Sequence, residues 1–137
     1  MSEPPFRVLP RLGPGNEHFW RGGAEGELRF LRCRTCRTWI HPPSPRCPDC
    51  LARKLEVEAV SGRGTVVSFT LNHKEWVPGA DHPYAIALVE LPEQTGLRLM
   101  TNVVGCAPEE VRIGMAVRVR FEARGEVYVP LFEPAEG

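Results

Sequence analysis

Four cysteines constrain this chain more than any other feature: Cys33-x-x-Cys36 and Cys47-x-x-Cys50, with ten residues between the pairs. Each C-x-x-C makes a tight knuckle. The stretch between them is long enough to fold one knuckle over the other, so four sulfurs can reach the corners of a tetrahedron. In a reducing compartment this spacing reads as metal ligation rather than disulfides, and soft thiolates in a tetrahedron select Zn2+ or iron. A thioredoxin-type redox centre would need one pair within a βαβ pattern, which the sequence lacks. A closed set of four cysteines leaves the metal no open coordination position, so the expected role is structural. His41, between the pairs, reads as a loop histidine beside the site, and the fifth cysteine, Cys106, as a small buried apolar residue. Arg29, Arg32, Arg34, Arg37, Arg46, Arg53 and Lys54 surround the knuckles with only Asp49 opposing them. Part of that charge offsets the negative charge of a metal bound by four thiolates. The alternative is a surface for phosphates, in nucleic acid or coenzyme A.

Around this centre the chain reads as mainly β. Fourteen Pro and thirteen Gly in 137 residues punctuate short segments and favour strands over a helical bundle. Asn16 is placed to cap a short helix through Glu17–Trp20 that ends at Gly22-Gly23. Leu28–Leu31 reads as a strand entering the first knuckle. Further strands are expected at Leu55–Val60, Gly64–Asn72, Tyr84–Leu91, Leu97–Val104, Val117–Ala123 and Glu126–Leu131, with one helical turn opened by Pro108. One short helix among five or six strands is the OB-fold barrel plan. Gly62, Gly64 and Gly114 fit tight entries into bent strands better than a phosphate cradle, since no helix follows Gly64. Ribbon and barrel are expected to bury separate cores. No apolar run reaches the ~20 residues of a membrane span, and no secretory leader is evident, so the expected location is the cytoplasm.

Candidate contact residues come from geometry. Phe19 and Trp20 are adjacent, so on a helix they point ~100° apart and cannot both bury against one flat surface. Pro130 removes a strand donor within Val129-Pro130-Leu131-Phe132, which reads as an edge or exit segment whose Leu131 and Phe132 need covering. His73, Glu75, Asp81 and His82 share a loop with Trp76. Nothing fixes their geometry for catalysis, and Trp76 fits a partner contact better. The formal charge is zero, divided as +3 in residues 1–60 and −3 in residues 61–137, which weakens a nucleic-acid role. A single-strand-binding zinc ribbon and OB module is the alternative function, disfavoured by the acidic barrel half with few aromatics.

The cysteine knuckles, Phe19-Trp20 ahead of them, Ser61-Gly62-Arg63-Gly64-Thr65-Val66-Val67-Ser68-Phe69-Thr70, Pro83-Tyr84-Ala85-Ile86-Ala87-Leu88-Val89-Glu90-Leu91, Val111-Arg112-Ile113-Gly114-Met115-Ala116-Val117-Arg118-Val119 and Pro130-Leu131-Phe132 together resemble the DUF35 family. The resemblance runs from about Phe19 to Pro134. It implies a rubredoxin-like zinc ribbon followed by an OB-fold, and divides the chain into an N-terminal helical arm (1–26), a zinc ribbon (27–60) and an OB-fold (61–137). It implies structural Zn2+ on Cys33, Cys36, Cys47 and Cys50. It also implies a non-catalytic subunit in a hetero-oligomer with a thiolase-superfamily enzyme, acyl-CoA being bound at or near the complex. The expected setting is a lipid-transfer-protein-like retro-aldolase of steroid side-chain degradation, or an acyltransferase or thiolase.

Overall fold

The computed structural model describes residues 10–72 and 84–135, so the loop holding His73, Glu75, Trp76, Asp81 and His82 lies outside the described residues. A five-residue helix, α1 (Glu17–Arg21), runs into a 3₁₀ turn (Gly22–Glu25). Asn16 stands at the N-cap position, but its side chain does not cap the helix. Its Oδ1 instead accepts from the Gly13 N–H and its Nδ2 donates to the Arg11 carbonyl, bracing the turn that precedes α1.

Three strands then form an antiparallel sheet in the order β2-β1-β3: β1 (Leu28–Cys33), β2 (Trp39–Ile40) and β3 (Leu55–Val60). The remaining strands, β4 (Arg63–Asn72), β5 (Tyr84–Glu90), β6 (Arg98–Val103), β7 (Ala116–Arg124) and β8 (Val127–Pro134), close a barrel in the order β4-β5-β6-β8-β7. The barrel therefore has five strands. Leu55–Val60 joins the cysteine sheet because it pairs with β1 along its whole length, from Leu28↔Val60 to Cys33↔Leu55. A 3₁₀ turn (Pro108–Glu110) precedes β7, where Pro108 was expected to open one. In β7, Val117 is buried and Val119 and Phe121 pack against the core, while Arg118 and Arg120 turn outward to Glu133.

The two halves do not bury separate cores. One buried cluster runs from Phe19, Leu28, Phe30 and Trp39 into Val66, Val89, Leu99, Val117 and Phe132 of the barrel. The strand period explains this: Leu28 and Phe30, two residues apart on β1, face the same way and meet the barrel. Close approach of the arm also depends on Gly23, where a Cβ would stand 2.7 Å from the Phe121 ring. A smaller cluster of Cys33, Ile40 and Cys47, with Leu31, Ala52 and Leu55 against it, surrounds the knuckles. The sheet is also pinned to the barrel through the β5–β6 loop. The Trp39 N–H donates to Gln94 Oε1 (2.8 Å) and Gln94 Nε2 donates to the Trp39 carbonyl (3.1 Å), so a side-chain amide takes the place of a neighbouring strand at β2.

The C-terminal segment differs from expectation. Val129–Phe132 is no edge or exit: β8 lies between β6 and β7, and Leu131 and Phe132 are 6% and 0% exposed. The loss of a donor at Pro130 is still felt, on one side only. β8 pairs with β7 from Val127 to Pro134, but with β6 only at Val103↔Phe132. The Phe132 carbonyl takes the Val104 N–H, and Pro130, two residues earlier, faces the same side without an N–H to continue the ladder.

Candidate metal centre and junction cleft

The two knuckles share one backbone design. In the first, the Arg37 N–H donates to the Cys33 carbonyl (3.0 Å) and the Cys33 N–H to the Thr38 carbonyl (2.8 Å). In the second, the Leu51 N–H donates to the Cys47 carbonyl (2.9 Å) and the Cys47 N–H to the Ala52 carbonyl (2.9 Å). The residue after each second cysteine is left-handed, Arg37 at φ 66° and Leu51 at φ 67°. A side chain in that region costs roughly 1–2 kcal/mol. The turn is thus imposed by the knuckle and not by glycine.

These turns bring all four Sγ atoms within 4.8 Å of one another, with Cys33–Cys50 at 3.5 Å and Cys36–Cys47 at 3.6 Å. A tetrahedron of sulfurs around Zn2+ at ~2.3 Å has edges of about 3.8 Å, so the four sulfurs fit the ion with shifts of about 1 Å or less. The cysteines are free thiols, Cys33 and Cys47 buried and Cys36 and Cys50 exposed, and His41 is not among the converging ligands. The Cys36 N–H, with help from Thr35, draws the Cys33 thiol down to about 6. Cys50 accepts a backbone hydrogen bond from Ala52, yet local desolvation within the cluster and its three sulfur neighbours push it up to about 12. Four thiols this close do not all ionise unaided, and a dication supplies the charge that allows it. The arrangement supports a structural zinc that cross-links the first knuckle, at the end of β1, to the second.

The expected basic surface is mostly consumed internally. Arg37 pairs with Glu56 and Glu58 on β3, Arg32 with Glu58, Arg34 with Glu56, and Arg29 with Glu25 and Glu27. The Arg32 guanidinium also covers the Trp39 ring at 4.5 Å. Of the seven basic residues near the knuckles, only Arg46, Arg53 and Lys54 have no carboxylate partner among the described residues.

Where the arm and the cysteine sheet meet the barrel, a cleft of about 400 Å³ opens between Asn16, Phe19 and Trp20 of the arm, His41–Pro43, Leu99–Asn102 of β6 and Val129–Leu131 of β8. Adjacent Phe19 and Trp20 separate as their helical angle requires. Phe19 is 5% exposed in the core and stacks on Phe30, while Trp20 is half-buried, edge-on to Phe19, and lines the cleft. His41 also lines it, stacked on Phe30 (4.5 Å) and tilted against Phe19 (5.0 Å). Burial, with the nearby His18, holds His41 down to about 4, so it is neutral at physiological pH. His41 Nδ1 and His18 Nε2 are buried without hydrogen-bond partners among the described residues.

Of the contact residues expected from sequence, Phe19, Trp20 and Leu131 line this cleft, Phe19 and Leu131 while buried, Phe132 is fully buried core, and Trp76 lies outside the described residues. Cys106 is half-buried rather than fully buried, with its thiol raised by burial and Glu110. Sequence reasoning missed Gln94, whose contact is 55 residues away at Trp39, and Met100, which stands 70% exposed on β6. Only the apolar residue at an outward strand position could have signalled Met100.

Residues 20–56 match the model of the ChsH2 rubredoxin-like zinc ribbon domain, and residues 57–122 that of the ChsH2 C-terminal OB-fold domain. A probable enoyl-CoA hydratase alpha subunit of Thermomonospora curvata is 38% identical over 95% of this chain and 40% of its own length. The chain thus spans about two fifths of that curated relative. A DUF35 domain-containing scaffold protein of Methanocaldococcus jannaschii is 40% identical over 66% of this chain and 64% of its own. The benzoylsuccinyl-CoA thiolase subunit BbsA of Thauera aromatica is 33% identical over 65% and 61%. Among solved structures, a chain of the Ltp2-ChsH2(DUF35) aldolase superposes with a TM-score of 0.83 at 37% identity, covering 93% of this chain and all of that one. With both of its halves matched in order and a solved relative matched over its full length, the chain belongs to the DUF35 family.

Proposed function

We propose that this chain is a non-catalytic accessory subunit that complexes with a thiolase-superfamily enzyme acting on acyl-CoA thioesters. The observation that carries the reading is the likeness to the DUF35 chain of an aldolase complex over that chain's whole length. The names of the hydratase-subunit, scaffold and thiolase-subunit relatives support it. A retro-aldolase acting on steroid side-chain thioesters is the favoured setting, supported by the likeness to the aldolase and to a 3-oxo-4,17-pregnadiene-20-carboxyl-CoA hydratase alpha subunit of Mycobacterium tuberculosis. The zinc fixes the ribbon, the shared core fixes the ribbon on the barrel, and the assembled face docks the enzyme. Trp20 is the anchor, with Leu131, Phe132 and Phe19 holding the surface beneath it and Trp76 a second contact. Acyl-CoA is bound at the complex, and the reaction belongs to the partner.

Single-strand binding is the weaker reading, because Arg29, Arg32, Arg34 and Arg37 are already paired with carboxylates. Two assays test the proposal. The isolated chain should not turn over an acyl-CoA substrate, and fluorescence anisotropy should detect no tight binding of single-stranded oligonucleotides. Turnover by the chain alone at the rate of a complex would overturn the accessory role, and salt-sensitive oligonucleotide binding would favour the alternative.

A further inference from the structure

The second knuckle differs from the first at one telling position. The residue after the second cysteine is left-handed in both, Arg37 at φ 66° and Leu51 at φ 67°. In the first knuckle that residue is tied to the sheet, because Arg37 pairs with Glu56 and Glu58 on β3. In the second it is a leucine that stands 63% exposed and belongs to neither buried cluster. Leu51 therefore bears the strain of a left-handed side chain with no burial in this chain to offset it.

The surroundings of Leu51 are basic. Arg46, Arg53 and Lys54 are exposed and have no carboxylate partner among the described residues. The Cys47 N–H bond to the Ala52 carbonyl (2.9 Å) closes the base of the turn, which makes Arg46 and Arg53 backbone neighbours just outside it. Asp49, the one carboxylate of the knuckle, is met by Thr38 Oγ1 at 3.5 Å. From Pro48 to Lys54 every residue except Ala52 is exposed, so the surface is a convex knob and not a cleft. The charge of a metal on four thiolates accounts for cations near the sulfurs, but not for an exposed leucine among them.

The knob is also held in place. The Leu51 N–H donates to the Cys47 carbonyl (2.9 Å), and Cys47 and Cys50 both converge on the metal centre. A side chain fixed before binding loses little freedom on docking. Anion sites for phosphate are concave, with backbone N–H groups and cations converging on one point; here the cations surround hydrocarbon on a convex tip. A rigid apolar knob with a cationic rim is complementary to an apolar hollow rimmed by carboxylates.

We propose that the second knuckle docks into the partner subunit, with Leu51 filling an apolar hollow whose rim supplies Asp or Glu side chains to Arg46, Arg53 and Lys54. This rests on the accessory-subunit reading and adds a contact that does not use the Trp20 cleft.

The test is biolayer interferometry between the full chain and the thiolase-superfamily enzyme encoded nearest its gene. Leu51→Gly removes the knob and suits the left-handed turn, so the variant should keep one zinc per chain and melt no lower. Its affinity should fall about tenfold or more, the worth of burying a leucine. Arg53→Gln combined with Lys54→Gln should slow association about fivefold or more at low salt and flatten its salt dependence. On the unaltered complex, carbodiimide coupling should join Lys54 to an Asp or Glu of the enzyme, a readout that needs no variant to fold. A complex that Leu51→Gly binds with unchanged affinity, or one without the Lys54 cross-link, would overturn this docking mode and leave the accessory role standing. Failure of the unaltered chain to bind would remove both. Binding of coenzyme A or a single-stranded oligonucleotide to the isolated chain, lost in the Arg53 and Lys54 double variant, would also overturn the proposal, because a phosphate would then be the occupant. So would dimers of this chain that Leu51→Gly abolishes.

Discussion

Truncating Phe30 to alanine is the sharpest test of how the two halves hold together. Phe30 belongs to the cysteine sheet, yet it is 0% exposed within the cluster that continues into the barrel, between Phe19 (5.9 Å) and His41 (4.5 Å). Burying such a side chain contributes about 2–3 kcal/mol, and its ring contacts add roughly 1 kcal/mol. With the cavity left behind, the expected loss is about 3–5 kcal/mol, against a total stability of about 5–15 kcal/mol for a domain. For a chain of this size ~1 kcal/mol moves the midpoint by about 3–5 °C, so Phe30→Ala should melt roughly 10–20 °C lower. The decisive assay is native-state hydrogen exchange. A shared core requires that β5 amides from Ala85 to Glu90 lose protection along with those of β1. If β1 weakens while β5 keeps its protection, the halves are independent and the argument from a continuous core is wrong.

Cys47→Ser should abolish binding of one zinc per chain and lower the melting of the whole molecule, because Cys47 is fully buried beside Cys33 and Ile40 and the ribbon shares the barrel core; metal analysis with calorimetry checks both. Gln94→Ala should cost about 1–3 kcal/mol by leaving the backbone groups of buried Trp39 unpaired, measured by denaturant unfolding. His41 has a folded value of about 4 against an ordinary 6.5, so as pH falls from 6.5 toward 4 the unfolded chain takes the proton first and stability declines. Stability is thus fullest above pH 6.5, and His41→Phe should flatten that slope in a pH series of unfolding curves.

The metal set was readable because its determinants are local: C-x-x-C spacing dictates the knuckle, and the knuckle forces Arg37 and Leu51 into the left-handed region without glycine. The barrel strands were readable from alternation, as in β5, where Ala85, Ala87 and Val89 turn inward. What one strand packs against was not. Nothing near Phe30 says that its face meets the barrel, and nothing near Gln94 says that its amide completes β2. Arg32 on β1 and Arg37 in the first knuckle looked free until the β1–β3 register brought Glu56 and Glu58 beside them. Pro130 signalled a missing donor correctly, but not that only the β6 side would feel it.

The central claim is that this chain works as part of an enzyme and not alone. Its most direct test is co-expression with the thiolase-superfamily enzyme encoded nearest its gene, followed by native mass spectrometry and an acyl-CoA turnover assay of the purified material. The account predicts a hetero-oligomer with one zinc for each copy of this chain, active as a complex, with this chain inert when separated. Two separate species with no mass corresponding to both, or full activity in this chain by itself, would contradict it.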